Sequence, residues 1–103
     1  MSLQVHIEGD SRVVVRGELD MATTPQLTSA VISLDETGAQ RVVLDLSDVS
    51  FIDSTAISAL CLANARLNTR GAVLVLGPTS KQVDSVLRIV GLESEFVREA
   101  PGS

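Results

Sequence analysis

Asp53, Ser54 and Thr55 form the segment of this sequence whose residue types could most readily support chemistry. A carboxylate precedes two hydroxyls where the strand-forming run that begins at Arg41 gives way to small, helix-forming residues. The first turn of a helix carries free N–H groups and the positive end of the helix dipole, so it accommodates a phosphate. We therefore predict that Asp53 caps a helix that starts at Ser54, and that the Ser54 hydroxyl faces solvent, where a kinase can reach it.

The alternative is that Ser54 or Asp53 serves only as a helix cap, as Ser and Asp do at many helix N-termini. A phosphate on Ser54 would add a charge of about −1.5 to −2, and the helix N-terminus would stabilise it by only about 0.3–1 kcal/mol. Asp53 would repel this charge, as would Asp20 if its loop lies at the same edge. We therefore expect phosphorylation to alter the docking of a partner without refolding the domain.

Other chemistries are poorly supported by the residues present. Serine hydrolysis needs a base, but the only histidine, His6, lies on the first predicted strand, and no Gly-x-Ser-x-Gly segment occurs. Asp45, Asp48 and Asp53 could suggest a magnesium site, yet no phosphate-binding loop accompanies them. We expect Asp48 to be a solvated loop acid and Asp45 to pair with an arginine such as Arg41. We predict neither enzymatic activity nor a cofactor.

Composition limits the kinds of partner. The 103 residues suit one domain spanning residues 1–103, and 45% hydrophobic with 20% charged residues is typical of a globular chain. A net charge of −5 and the lack of a basic patch argue against nucleic-acid binding. No apolar run approaches the roughly 20 residues that span a bilayer. With a single cysteine, Cys61, and no signal-peptide pattern at the start, we expect a cytoplasmic protein without a membrane partner.

Hydrophobic periodicity and turn residues predict an α/β fold with the element order β-β-α-β-α-β-α. The predicted strands cover residues 3–7, 12–16, 41–46 and 72–76. The predicted helices run from a cap at Thr23 or Thr24 to Gly38, from Ser54 to about Asn68, and from a capping box of Thr79 and Gln82 to Gly91. The tail beyond Val97 is predicted to fray.

These elements imply a mixed sheet. The first two strands form an antiparallel hairpin through the turn at Gly9 and Asp10, and the later strands are parallel because helical crossovers join them in β-α-β units. Right-handed crossovers are expected, with the helices packed on one face of the sheet. The other face must then be polar or covered by the N-terminal hairpin.

Three segments resemble the STAS-domain anti-sigma factor antagonists of bacteria. They are Gly17-Glu18-Leu19-Asp20, the run from Val43 to Thr55 that ends in Phe51-Ile52-Asp53-Ser54-Thr55, and Gly91-Leu92. The resemblance covers nearly the whole chain, and the passage from strand through Asp-Ser-Thr into helix is its most specific part. It implies a single STAS-type domain that acts by binding and not by catalysis.

By this resemblance, Ser54 matches the serine that the family's partner phosphorylates. That partner is at once an anti-sigma factor and a serine-protein kinase with a histidine-kinase-like ATPase fold, and a PP2C-type phosphatase removes the phosphate. Asp20 would match an acidic residue near the phosphorylation site. The partner-binding residues expected here are Asp20, Asp53, Ser54, Thr55 and Ala56.

The sequence departs from the family pattern directly after the Ser-Thr pair, where Ala56-Ile57-Ser58 replaces the usual Gly-Leu-Gly. Alanine favours a helix over glycine by about 1 kcal/mol, so we expect the fold to tolerate the change. The same helix carries several alanines. They either let it lie close to the sheet or give it a flat docking surface, and the sequence is consistent with both.

Two other interpretations of the resemblance stay open. Some STAS domains are accessory subunits of transport ATPases, including lipid-transport complexes, and do not act as phosphorylation switches. In that case the Ser54 hydroxyl would be an interface contact. A degenerate family member could also bind a nucleotide or a partner with no phosphorylation at all.

Overall fold

A computed structural model describes residues 2–100 of the chain, and the structural statements below concern that part. Its elements are β1 (Leu3–Glu8), β2 (Arg12–Leu19), α1 (Thr24–Glu36), β3 (Arg41–Ile52), α2 (Ser54–Asn68), β4 (Val73–Thr79), α3 (Lys81–Ile89) and β5 (Val97–Arg98). The predicted α/β fold and the order of its first seven elements are confirmed. Within residues 2–100, no helix is both long and apolar enough to cross a membrane.

The sheet is mixed, as predicted. Its five strands lie in the order β1-β2-β3-β4-β5, with β1 antiparallel to β2 and every later pair parallel. Strand β3 continues to Ile52 because Val49 and Ile52 remain buried beyond the predicted end. Strand β5 was not predicted, since two residues are too short to show an alternating pattern. The expected fraying beyond Val97 is wrong at Arg98, which pairs with Leu76, while residues 101–103 lie outside the described part of the chain.

One apolar cluster fills the space between the sheet and the helices. The largest side chains with less than 2% exposure are Leu19, Leu27, Leu44, Leu46, Leu60, Leu67, Leu74, Leu76 and Leu87. Because α1, α2 and α3 all contribute to this cluster, they lie on the same face of the sheet, as predicted. The core is built almost wholly from aliphatic residues, with Phe96 as its aromatic member.

The opposite face of the sheet carries an ion-pair network. Arg12 on β2 contacts Glu99 at 2.9 Å and Asp45 at 3.6 Å. Asp45 pairs with an arginine, as predicted, but with Arg12 and not with Arg41. The strand register pairs Asp45 with Val14, so the neighbouring cation on its face is Arg12, while Arg41 is exposed at the start of β3. The uncovered face is thus polar, one of the two predicted solutions.

The helix starts agree with prediction in part. Ser80 caps α3, because its hydroxyl accepts the Val83 N–H at 3.3 Å, whereas Thr79 is still part of β4. The predicted capping box of Thr79 and Gln82 is therefore wrong, since the apolar side chain of Val83 cannot return a hydrogen bond to Ser80. The N-cap position of α1 is Thr23, as predicted. Its hydroxyl, however, donates to the Glu18 carbonyl at 2.6 Å and caps nothing.

Asp35 joins α1 to the C-terminal end of α2. Its carboxylate accepts hydrogen bonds from Arg66 at 2.6 Å and from Arg70 at 2.5 Å, and its side chain is only 11% exposed. These bonds, that from Arg66 foremost, hold the pKa of Asp35 below its ordinary value despite the opposing effect of desolvation. The carboxylate is thus stabilised in its charged form by folding.

Replacing Asp35 with Asn is expected to lower the free energy of unfolding at pH 7. A folded-state pKa below the unfolded one stabilises the protein above the unfolded value of about 3.9, and this contribution is lost as pH falls through the folded pKa. The difference between the wild-type protein and Asp35→Asn should therefore shrink as pH is lowered from about 5 towards 2. Urea unfolding across this range measures it.

Asp48→Asn is the matched control. Asp48 lies 3.4 Å from Arg16, and both side chains are more than 60% exposed. Exposed pairs of this kind contribute only about 0–1 kcal/mol. An Asp35→Asn variant no less stable at pH 7 than Asp48→Asn would contradict the proposed role of the Asp35 carboxylate.

Candidate functional site

The site is built at the junction between β3 and α2. Asp53 has extended backbone angles, φ −113° and ψ 179°, and its Oδ1 accepts the Ala56 N–H at 3.0 Å. The carboxylate therefore satisfies one of the amide groups that a helix leaves free at its N-terminus. Ser54 is the first residue of α2. Both features confirm the prediction made from the sequence.

Ser54 and Thr55 are exposed on the first turn of α2. Within residues 2–100, the Ser54 hydroxyl makes no hydrogen bond and the Thr55 hydroxyl makes none. A group attached to the Ser54 oxygen would lie near the positive end of the helix dipole. The first turn thus presents a serine oxygen that no hydrogen bond from residues 2–100 restrains.

A backbone hydrogen bond brings the β2–α1 loop to the same edge of the sheet. The Asp53 N–H donates to the Leu19 carbonyl oxygen at 3.1 Å, and the register pairs Leu19 with Ile52. Asp20 follows Leu19 directly, so it lies at the carboxyl edge of the sheet beside the start of α2. Repulsion between Asp20 and a phosphate on Ser54 was expected only if the Asp20 loop lies at this edge of the sheet, and it does.

Asp20 organises its own loop. Its Oδ1 accepts the N–H groups of Ala22 and Thr23, both at 2.9 Å. The hydrogen bond from the Thr23 N–H is the main cause that lowers the pKa of Asp20. Asp20 is therefore charged at neutral pH, and together with Asp53 it makes this edge of the molecule acidic.

Ala56 points inward. Its side chain is completely buried, as is most of Ile57, whereas Ser58 is exposed. Ala56 was expected among the partner contacts, but its methyl group packs in the core. The change from the usual glycine at this position therefore alters packing beneath the helix, and the departure that reaches the surface is Ser58.

A groove between α1 and α2 was not identified from the sequence. It has a volume of about 590 Å³ and begins one residue from Ser54, with Met21, Pro25, Thr55, Ser58 and Leu62 in its walls. Met21 is 75% exposed and Leu62 is 72% exposed. The sequence signal was the spacing of Thr55, Ser58 and Leu62, which share one side of a helix away from its buried residues. Of the two roles left open for the alanines of α2, close approach to the sheet fits the full burial of Ala56, and a docking role stays a prediction.

The remaining candidate groups are separate from this site. His6 is exposed on β1, and Cys61 is half-buried against the core. Of the acids considered for magnesium, Asp45 accepts a hydrogen bond from the Ser47 hydroxyl at 2.7 Å, and Asp53 belongs to the site itself as the cap of α2. In the described part of the chain, no three His, Cys, Asp or Glu side chains are grouped so that they could hold a metal ion.

Comparison with known proteins identifies the domain. A family model described as "STAS domain" matches residues 4–101. An anti-sigma-B factor antagonist of Staphylococcus epidermidis is 30% identical over 81 residues, which are 79% of this chain and 75% of that protein. The match to the family model includes the β3–α2 junction.

Two solved structures share the fold. An anti-sigma factor antagonist from Mycobacterium paratuberculosis has a TM-score of 0.80 at 23% identity, covering 98% of this chain and 88% of that one. The Bacillus cell fate determinant SpoIIAA in its phosphorylated form has a TM-score of 0.67 at 20% identity, covering 97% and 93%. The mixed sheet with helices on one face is therefore a known architecture.

Removing the cap should destabilise the site. Asp53→Ala loses the acceptor for the Ala56 N–H, and loss of an N-cap costs about 0.5–2 kcal/mol of unfolding free energy. Asp53→Asn retains a side-chain oxygen at the same position and should lose less. Urea unfolding of the three proteins at pH 7 measures the difference. Equal losses in the two variants would mean that the carboxylate charge, and not the capping hydrogen bond, supports the start of α2.

Proposed function

The chain belongs to the STAS domain family, and on that premise we propose that it is an anti-sigma factor antagonist switched at Ser54. Unphosphorylated, it binds an anti-sigma factor kinase and thereby releases the sigma factor; phosphorylated at Ser54, it dissociates from the kinase. The name of its curated relatives, anti-sigma-B factor antagonist, supports this function. The observation that carries the proposal is the exposed Ser54 hydroxyl at the N-terminus of α2, which makes no hydrogen bond in the part of the chain that the structure describes.

In the proposed reaction the chain supplies only the nucleophile. The partner kinase transfers the γ-phosphoryl group of ATP to the Ser54 oxygen, the bond to ADP breaks, and the hydroxyl proton leaves to a base on the kinase. Nothing in this chain needs to act as a catalyst. A PP2C-type phosphatase would hydrolyse the ester and restore the binding form, which requires that Ser54 be accessible in the free protein.

Charge and packing together explain how one phosphate would end the complex. The α1–α2 groove with Met21 and Leu62 provides apolar surface for docking. A phosphate on Ser54 would enter the same interface and would join the carboxylates of Asp20 and Asp53. An unpaired charge pressed into an interface costs several kcal/mol. Attraction between the phosphate and the helix N-terminus offsets only about 0.3–1 kcal/mol of this cost.

The acidic edge also indicates the chemistry of the partner. With Asp20 and Asp53 at the site and a net charge of −5 on the chain, the kinase is expected to place basic residues against these two carboxylates and none against Ser54, so that a phosphate there would stay unpaired. Such a pairing would hold the unphosphorylated form at moderate ionic strength and would weaken with added salt. We propose that the protein acts in the cytoplasm with this partner.

Binding of Ser54 variants to the candidate kinase tests the switch. Ser54→Ala should bind about as tightly as the unphosphorylated protein, since the hydroxyl makes no intramolecular contact whose loss would matter. Ser54→Asp should bind about tenfold or more weakly, because 1.4 kcal/mol corresponds to a factor of ten and one added charge should cost at least that much. Isothermal titration calorimetry measures both constants.

Ser33→Asp is the control for net charge, since Ser33 is exposed on α1 and adds the same charge away from the site. It should bind like the wild-type protein. Equal, tight binding by the Ala and Asp variants of Ser54 would overturn the switch and would favour a constitutive interaction, such as that of an accessory subunit in a transport ATPase.

Phosphorylation itself should change binding much more than stability. Incubation with the kinase and ATP should give a single phosphopeptide containing Ser54, absent from Ser54→Ala. The phosphorylated protein should keep its melting temperature within about 4–8 °C of the unmodified one, the shift that about 1 kcal/mol produces in a domain of this size. A larger shift, or modification elsewhere, would contradict the local mechanism.

A further inference from the structure

Strand β1 forms an open edge of the sheet. It pairs with β2 on one side only, and the described part of the chain places nothing on its other side. The opposite edge is different, because β5 has only two residues and Arg98 is tied to Thr79 at 2.8 Å and lies near Asp84. A strand of six residues with a free edge is a template for another strand.

The hydrogen-bonding pattern shows which groups of β1 face outward. The Glu18 N–H donates to the Ser2 carbonyl, so these residues form a hydrogen-bonded pair with β2. In an antiparallel ladder such pairs alternate with pairs that do not exchange hydrogen bonds. Leu3, Val5 and Ile7 are therefore the residues whose N–H and C=O groups point away from β2, toward the open edge.

Strand β1 lacks the features by which proteins usually block an edge. It contains no proline, no lysine and no bulge, and its one charged residue, Glu8, stands at the hairpin end. Val5 and Ile7 pack against the core but remain only partly buried. The edge therefore presents both free backbone groups and apolar side chains that a further strand would cover.

We propose that β1 pairs antiparallel with β1 of a second copy of this chain, about a twofold axis at Val5. In this register Val5 lies opposite Val5 of the second copy, and Leu3 lies opposite its Ile7. These are the three outward-facing residues of each strand, so their backbone groups would exchange about six hydrogen bonds. The result is a continuous sheet with five strands from each copy.

The side chains fit this register on both faces. The helix-side pairs are all apolar, since Leu3, Val5 and Ile7 face only one another. On the polar face, Gln4 lies opposite His6 of the second copy, where the amide and the imidazole can hydrogen-bond. A register centred on His6 instead would place two imidazoles opposite each other and Gln4 opposite Glu8. It would also leave Leu3 without an outward-facing partner on the second strand.

The proposed dimer leaves both Ser54 sites open. A twofold axis perpendicular to the sheet reverses the strand direction of the second copy. Ser54 lies at the carboxyl edge of β2 and β3, so the two sites would lie at opposite edges of the joined sheet. Dimer formation and binding of a kinase are thus independent, and the failure of one proposal would leave the other intact.

Sedimentation equilibrium on the full chain, at roughly 10 to 300 µM, tests the dimer. This concentration range detects dimers whose dissociation constants lie between about micromolar and sub-millimolar values. The wild-type protein should show a concentration-dependent dimer. Val5→Pro should be monomeric, because proline removes an N–H that β2 does not use and is tolerated at such an edge position. Val5→Ala, which keeps the N–H, should still dimerise. A wild-type protein that is monomeric throughout, or a dimer unaffected by Val5→Pro, overturns the proposal.

Charges on the polar face test the register without touching the core. Gln4 and His6 are exposed. The double variant Gln4→Lys with His6→Lys puts like charges opposite each other and should weaken the dimer by roughly fivefold or more. Gln4→Glu with His6→Lys puts opposite charges there and should restore it. If both double variants weaken the dimer equally, the register centred on Val5 is wrong.

Discussion

The hydrogen bond from the Asp53 N–H to the Leu19 carbonyl is the contact on which the site depends. It joins the ends of the parallel strands β2 and β3, where β3 leads into α2 and β2 leads into the β2–α1 loop. With the register that pairs Leu19 with Ile52, it holds Asp20 beside the first turn of α2. The parallel alignment of β2 and β3 makes this bond possible, and that alignment follows from the crossover through α1. The site is therefore a consequence of strand order more than of any local motif.

The same arrangement keeps charge away from the core. The face of the sheet beneath the helices is aliphatic, while Asp20 and Asp53 lie at the carboxyl edge of the sheet and Asp45 on its open face. Asp20 and Asp53 each accept, with one carboxylate oxygen, a hydrogen bond from a backbone N–H of their own turn. They hold the two loops in place. An added phosphate would lie beside two turns that hydrogen bonds already hold in place. Its main effect would therefore be on the docking of a partner and not on the fold.

The sequence predicted the parts that depend on local chemistry. The Asp53 cap and the start of α2 were correct because a strand that ends in Asp-Ser-Thr has few alternatives. Contacts between distant segments were not predictable in this way. The partner of Asp45 is Arg12, which depends on the register between β2 and β3, and β5 exists only because the chain returns to pair with β4. Ser80 replaced Thr79 as a cap because β4 extends further than its apolar run. The α1–α2 groove was missed because it requires the angle between two helices.

Ala56 and Ser58 show how the surface and the interior of α2 are divided. Ala56 is fully buried, so a change from glycine there acts on helix packing and on the free energy of the helix itself. Thr55, Ser58 and Leu62 follow one exposed stripe along the groove wall. Under the proposed function, a partner would meet that stripe and the Ser54 oxygen together. Selectivity among related kinases would then reside in the side chains at positions 55, 58 and 62, because these can vary without disturbing the core that holds Asp53 and Ser54 in place.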